Sequence, residues 1–226
     1  MKQILHSLIL GEGKPLCILH GFLGMLDNWK TLGTSYAENG FQVHLIDQRN
    51  HGKSFHSPDF DYDILSNDLL NYMNYHKIES TMLIGHSMGG KTAMQFACSH
   101  PERISKDADD QLTKYISDFG TRQFLLKNLY RNEDKKLCFR FNLEVLSKKM
   151  EEIGDNINST DLYIGPTLFL RGDRSEYVSK NDIEIINRHF PKATIETISN
   201  AGHWLHAENP EEFLEKSLTF FNQTKN

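Results

Sequence analysis

The stretch Thr81-Met82-Leu83-Ile84-Gly85-His86-Ser87-Met88-Gly89-Gly90-Lys91 constrains this chain more than any other. A short apolar run ends in a Gly-x-Ser-x-Gly turn, and a helix-prone segment follows. A strand that turns directly into a helix needs small residues two places before and two places after the residue at the apex. Gly85 and Gly89 stand at those places, so the pattern predicts a tight elbow with the Ser87 hydroxyl raised above a sheet. The backbone N–H of Met88 then lies at the head of a helix, where a developing oxyanion is stabilised. Read this way, Ser87 is a candidate nucleophile.

An elbow of that kind belongs in a sheet with buried strands, and the rest of the chain supplies them. Apolar runs at Pro15–His20, Gln42–Asp47, Thr81–Gly85, Thr167–Arg171 and Thr194–Ile198 alternate with amphipathic segments. Helices are expected at Asn28–Asn39, Ile64–Tyr75, Gly89–Ser99, Asp182–His189 and Pro210–Asn222. This alternation predicts an α/β fold with a mostly parallel central sheet flanked by helices. His6–Leu10 reads as an added strand forming an antiparallel hairpin with Pro15–His20. Residues 107–158 are charged, and Gln111–Asn128 and Leu143–Ile153 read as helices joined by the polar stretch Arg131–Lys136. They predict a small helical cap inserted into one domain that spans residues 1–226.

A serine nucleophile needs an oxyanion partner and a base. His20-Gly21-Phe22-Leu23-Gly24 follows the first buried strand, and Gly21 lets that loop approach the elbow, which makes Phe22 N–H the second candidate donor. Asn200-Ala201-Gly202-His203-Trp204 lies between the last strand and the last helix, where His203 is the candidate general base. His206 is the nearby alternative, while His51 and His86 read as structural or pocket-lining. Leu23 and Trp204 are candidates for the wall of an acyl pocket. The triad acid is harder to place. The expected position after Gly172 is Ser175, and Asp173 and Glu176 flank it.

Composition excludes several other classes. The net charge of −5 leaves no footprint for nucleic acid. No stretch nears a membrane span, and the interrupted N-terminal apolar runs do not form a signal peptide, so a cytoplasmic protein is expected. Cys17 and Cys98 lie in apolar runs as small hydrophobes, and the odd count of three cysteines suits a reducing compartment. No zinc spacing or phosphate-binding glycine loop occurs, and His203 with His206 lacks a third ligand, so neither a zinc site nor a nucleotide site is expected. Asp47 and Arg49, in the stretch IDQRNHGKS, are expected to fix neighbouring loops by hydrogen bonds.

Taken as a set, HGFLGMLDNW, IDQRNHGKS, IGHSMGGK, FRFNLEVL, GPTLFLRG and NAGHWLHAENPEEF resemble the YbfF-type esterases of the α/β-hydrolase superfamily and their mitochondrial relatives. The resemblance implies an α/β-hydrolase fold and a cytoplasmic serine esterase or thioesterase that acts on short- to medium-chain acyl esters or thioesters without a cofactor. It adds Glu144 as an acid candidate, at a position where some relatives carry a carboxylate. It also exposes a departure. In that family the phrase like Pro101–Ser105 is followed by another apolar strand that can end in the triad aspartate, whereas here the chain runs directly into Lys106-Asp107-Ala108-Asp109. A strand is apparently missing at the junction 105/106. Two other functions stay open: a C–C bond hydrolase or lyase on the same fold, and a non-catalytic binding protein with an incomplete triad.

Overall fold

The computed structural model describes residues 3–105, 129–131, 137–139, 141–154, 162–178 and 180–223. Four strands form the main sheet: β1 (Ser7–Leu10), β2 (Lys14–Leu19), β3 (Phe41–Ile46) and β4 (Met82–Gly85), in the order β1-β3-β2-β4. β2 runs parallel to both β3 and β4. Helix α1 (Lys30–Glu38) links β2 to β3, α2 (Tyr62–Tyr75) links β3 to β4, and α3 (Met88–Ser99) follows β4.

Alternation of side chains along each strand divides the core between the two faces of the sheet. Leu16, Ile18, Val43, Leu45, Met82 and Ile84 pack on one side against Trp29, Tyr36 and Phe213. Cys17, Leu19, Ile46 and Leu83 point the other way, against Leu69, Met73 and Phe96 of α2 and α3. All four strand residues on that second face are essentially inaccessible. Their thorough burial explains why the strands read as continuous apolar runs. It also pushes the Cys17 thiol up to about 12, which suits a structural sulfur.

The first strand departs from expectation. β1 forms no hairpin with β2 and instead pairs antiparallel with β3, Ser7 opposite Ile46. β2 is already flanked by β3 and β4, so β3 offers the edge that remains. The connection crosses the turn that leads into β3. A Cβ on Gly13 would lie 2.1 Å from the Gly40 carbonyl oxygen, so only glycine permits the crossing.

Two further strands, β7 (Thr167–Gly172) and β8 (Ala193–Ile198), pair in parallel around α6 (Lys180–His189). The short α7 (Leu205–Glu208) and then α8 (Pro210–Gln223) complete the chain. Among the described residues β4 and β7 share no ladder. Beside β4, however, a further parallel pairing begins. Thr81 N–H donates to Arg103 O (2.9 Å), and Ser105 N–H donates to Thr81 O (2.8 Å).

The expected cap helix Gln111–Asn128 and the junction at Lys106 lie outside the described residues. Within the segment expected to form the cap, β5 (Leu129–Arg131) and β6 (Leu137–Phe139) form a short antiparallel ladder where no strand was expected. The single expected helix Leu143–Ile153 is broken into α4 (Leu143–Lys148) and α5 (Met150–Gly154).

Candidate active site

At the end of β4 the backbone of Ser87 takes φ 53° and ψ −117°. A non-glycine residue seldom adopts this conformation, at a cost on the order of 1–3 kcal/mol. The surrounding glycines make the turn possible. A Cβ on Gly85 would meet the Gly89 carbonyl oxygen at 2.4 Å, and one on Gly89 would meet the Leu19 carbonyl oxygen at 2.4 Å. Ser87 is therefore the apex of an elbow that fits only with glycine on both sides. Met88 begins α3, where the first N–H groups have no intrahelical acceptor.

The loop after β2 reaches the elbow as expected. A Cβ on Gly21 would lie 2.6 Å from His86 Nδ1 and 3.2 Å from Ser87 Cβ. The loop is pinned on both sides of Phe22. Gly24 N–H donates to Gly21 O (2.9 Å), and Leu23 N–H donates to His51 Nε2 (3.2 Å). Leu23 itself sits at φ 57°.

Two histidines hold this loop through fixed tautomers. His51 Nδ1 lies 2.9 Å from the Arg49 carbonyl, so it carries the proton and leaves Nε2 to accept from Leu23. His20 Nδ1 donates to Gly21 O (2.8 Å), and its Nε2 accepts from Gln48 N–H (3.0 Å). Each ring must stay neutral to act in this way. Burial enforces neutrality by lowering His20 to about 4 and His51 to about 3. Sequence reasoning gave His51 a structural place and did not single out His20.

Asp47 and Arg49 fix loops as expected. The Asp47 carboxylate accepts from Leu26 N–H (2.8 Å) and Lys53 N–H (2.9 Å). Arg49 makes a buried two-point contact with Asp68 and also donates to Asp59 O.

His203 sits in the loop after β8 and is buried. Its ring lies 4.7 Å from that of His86, the residue next to Ser87, and His86 Nε2–H donates to the His203 carbonyl (3.1 Å). The loop is held by two carboxylates. Asp173 accepts from Asn200 N–H (2.9 Å) and Ala201 N–H (3.0 Å). Glu208 accepts from Gly202 N–H (2.9 Å) and Trp204 N–H (3.1 Å). These four amides flank His203 on both sides. Asp173 is thus drawn to the backbone that carries His203, and those bonds hold its carboxyl below the ordinary range. Glu208 had no signal in the sequence, because its partners are amides brought close by the turn.

The remaining candidates fall in different places. Trp204 packs 4.8 Å from the His86 ring. Glu144 is exposed on α4 and ion-paired with Lys148 at 2.8 Å. Glu176 is exposed beyond β7. His206 lies flat against Trp29, with ring centroids 4.2 Å apart and planes 4° apart, as packing material away from solvent. Tyr177, whose ring is 5.7 Å from that of His203, is an additional neighbour. Among the described residues no group of three His, Cys, Asp or Glu side chains is arranged to hold a metal ion, and no helix is long and apolar enough to cross a membrane.

Known proteins resemble this chain in sequence and fold. Residues 14–106 match the family described as alpha/beta hydrolase fold. The sn-1-specific diacylglycerol lipase ABHD11 of Danio rerio is 36% identical over 251 aligned positions, covering 93% of this chain and 79% of that protein. Esterase YbfF of Escherichia coli is 29% identical, over 93% of this chain and 94% of its own length. A solved structure titled marine microorganism esterase superposes with a TM-score of 0.91 at 34% identity, covering 97% of this chain and 100% of that one. The shared fold, the extent of the match and the identity to the zebrafish protein together make this chain a member of the α/β-hydrolase family.

Proposed function

We propose that the protein is a serine carboxylic ester hydrolase that works through an acyl-enzyme, with acyl esters or thioesters of short to medium chain length as substrates. The observation that carries this reading is the elbow at Ser87, with His203 held beside its neighbour His86. In the reaction Ser87 Oγ attacks the ester carbonyl while His203 takes its proton. The N–H groups of Phe22 and Met88 receive the oxyanion. His203 then protonates the leaving alcohol or thiol, and water, activated by the same imidazole, releases the acid. Relatives named esterase and lipase support ester hydrolysis as the chemistry.

The reading places the orientation of His203 in its loop. Asp173, Glu208 and His86 act on the backbone around the imidazole, and Glu144 and Glu176 take no part.

A fluorophosphonate probe tests the assignment. The wild type is expected to take one label, and Ser87→Ala none. p-Nitrophenyl butyrate should be hydrolysed by the wild type alone, with an acyl adduct seen by intact mass after rapid acid quench. Absence of labelling and turnover in the folded wild type would reject the esterase and favour a binding role.

A further inference from the structure

Lys91 lies in the first turn of α3, four residues after Ser87, and is only 5% exposed. A buried ammonium is unfavourable unless its donors are satisfied. Lys91 Nζ donates to the carbonyls of Ile153 (3.0 Å) and Gly154 (2.9 Å), the last two residues of α5 in the cap. The Tyr62 hydroxyl donates to the same Ile153 carbonyl (3.0 Å), and its ring lies 5.6 Å from the ammonium. Three donor contacts from α2 and α3 therefore close on one helix end, where the terminal carbonyls are unsatisfied and carry negative partial charge.

The clamped residue has a second role. The Ile153 side chain is 1% exposed and belongs to one apolar cluster with Leu146 of α4 and Met88 of the elbow, with Phe22 and Leu23 packed against it. Met88 and Phe22 are the residues whose amides receive the oxyanion in the proposed reaction. The placement of α5 thus backs Phe22 and Leu23, the half-buried members of the cluster, in the loop beside the elbow.

We propose that Lys91 is a positioning residue for acyl-chain specificity: by holding the C-terminus of α5 it fixes Leu146 and Ile153 as the buried backing of a wall whose accessible face is Phe22 and Leu23, and the aliphatic chain of a medium-chain ester lies against that face. This role rests on the esterase reading of Ser87. A methylene buried against a fixed wall favours the longer ester by about fourfold, and a wall released from its clamp loses much of that preference.

The test compares p-nitrophenyl hexanoate with acetate in the wild type and in Lys91→Met, which keeps the stem and drops the charge. The hexanoate-to-acetate ratio of kcat/KM is expected to fall about tenfold, the scale of a lost charge-assisted hydrogen bond, with most of the change in KM for hexanoate. Hydrogen exchange of the amides of residues 146–154 should quicken in the same variant. Tyr62→Phe, which removes one donor from the same carbonyl, should move both readouts in the same direction by less, and it keeps the test usable if Lys91→Met does not fold. An active wild type whose ratio is unchanged within about twofold in the folded variants would overturn the role of Lys91 alone. A wild type that takes no probe and cleaves neither ester would overturn the esterase reading and this role with it.

Discussion

Gly85→Ala tests whether the elbow is a steric necessity. The added methyl would lie 2.4 Å from the Gly89 carbonyl oxygen, 2.6 Å from its carbon and 2.6 Å from Gly90 Cα. Ordinary contact begins near ~3.5 Å, so about 1 Å of separation is missing. All three obstacles are backbone atoms, so no side chain can swing aside. The first turn of α3 or the end of β4 must move, and both are buried. Overpacking of this kind costs about 1–3 kcal/mol of stability. A displacement of about 1 Å at the nucleophile costs on the order of 100-fold in turnover. Thermal melting, the rate of fluorophosphonate labelling and p-nitrophenyl acetate hydrolysis measure the two effects separately. Gly154→Ala is the control, because a Cβ there meets nothing within 4 Å among the described residues; its stability should change by less than about 0.5 kcal/mol. A Gly85→Ala protein that melts with the wild type and labels at the wild-type rate would refute the steric account of the elbow.

Acid sensitivity follows from the buried histidines. Burial lowers His20, His44 and His86 to about 4 and His51 to about 3, from an ordinary 6.5. Between these values the unfolded chain takes up protons that the native state refuses, so stability is full above 6.5 and is lost as pH falls toward 4. Each ring contributes up to about 1.4 kcal/mol per pH unit in that window. Asp47 and Asp68, raised by burial, act with the opposite sign and offset part of the loss at its acid end. Calorimetry should show the melting temperature dropping by more than about 10 °C between pH ~7.5 and ~5, and a flat profile would contradict the burial of neutral rings. His86→Phe keeps a ring of similar size and removes the donor to the His203 carbonyl. It should lower kcat about three- to tenfold with little change in KM, whereas an unchanged kcat would mean that the His203 loop is positioned without it.

The sequence by itself determined the order of the buried sheet strands and their flanking helices, though not the β5–β6 ladder, and the apex of the site. Short apolar runs and a Gly-x-Ser-x-Gly turn are local patterns, dictated by burial on two faces and by backbone crowding, so the strand positions and the conformation at Ser87 were legible residue by residue. Gly21 was legible for the same reason, since a close backbone approach excludes any Cβ. Tertiary structure alone decided which elements meet. β1 chose β3 over its sequence neighbour β2 because strand pairing depends on which edge is open, and no local pattern records that. The carboxylates were hardest to assign: Asp173 and Glu208 find amides of the His203 loop, and Lys91 finds the end of a cap helix 62 residues away along the chain. Charged side chains take partners by proximity in space, and folding sets that proximity through the packing of the whole sheet.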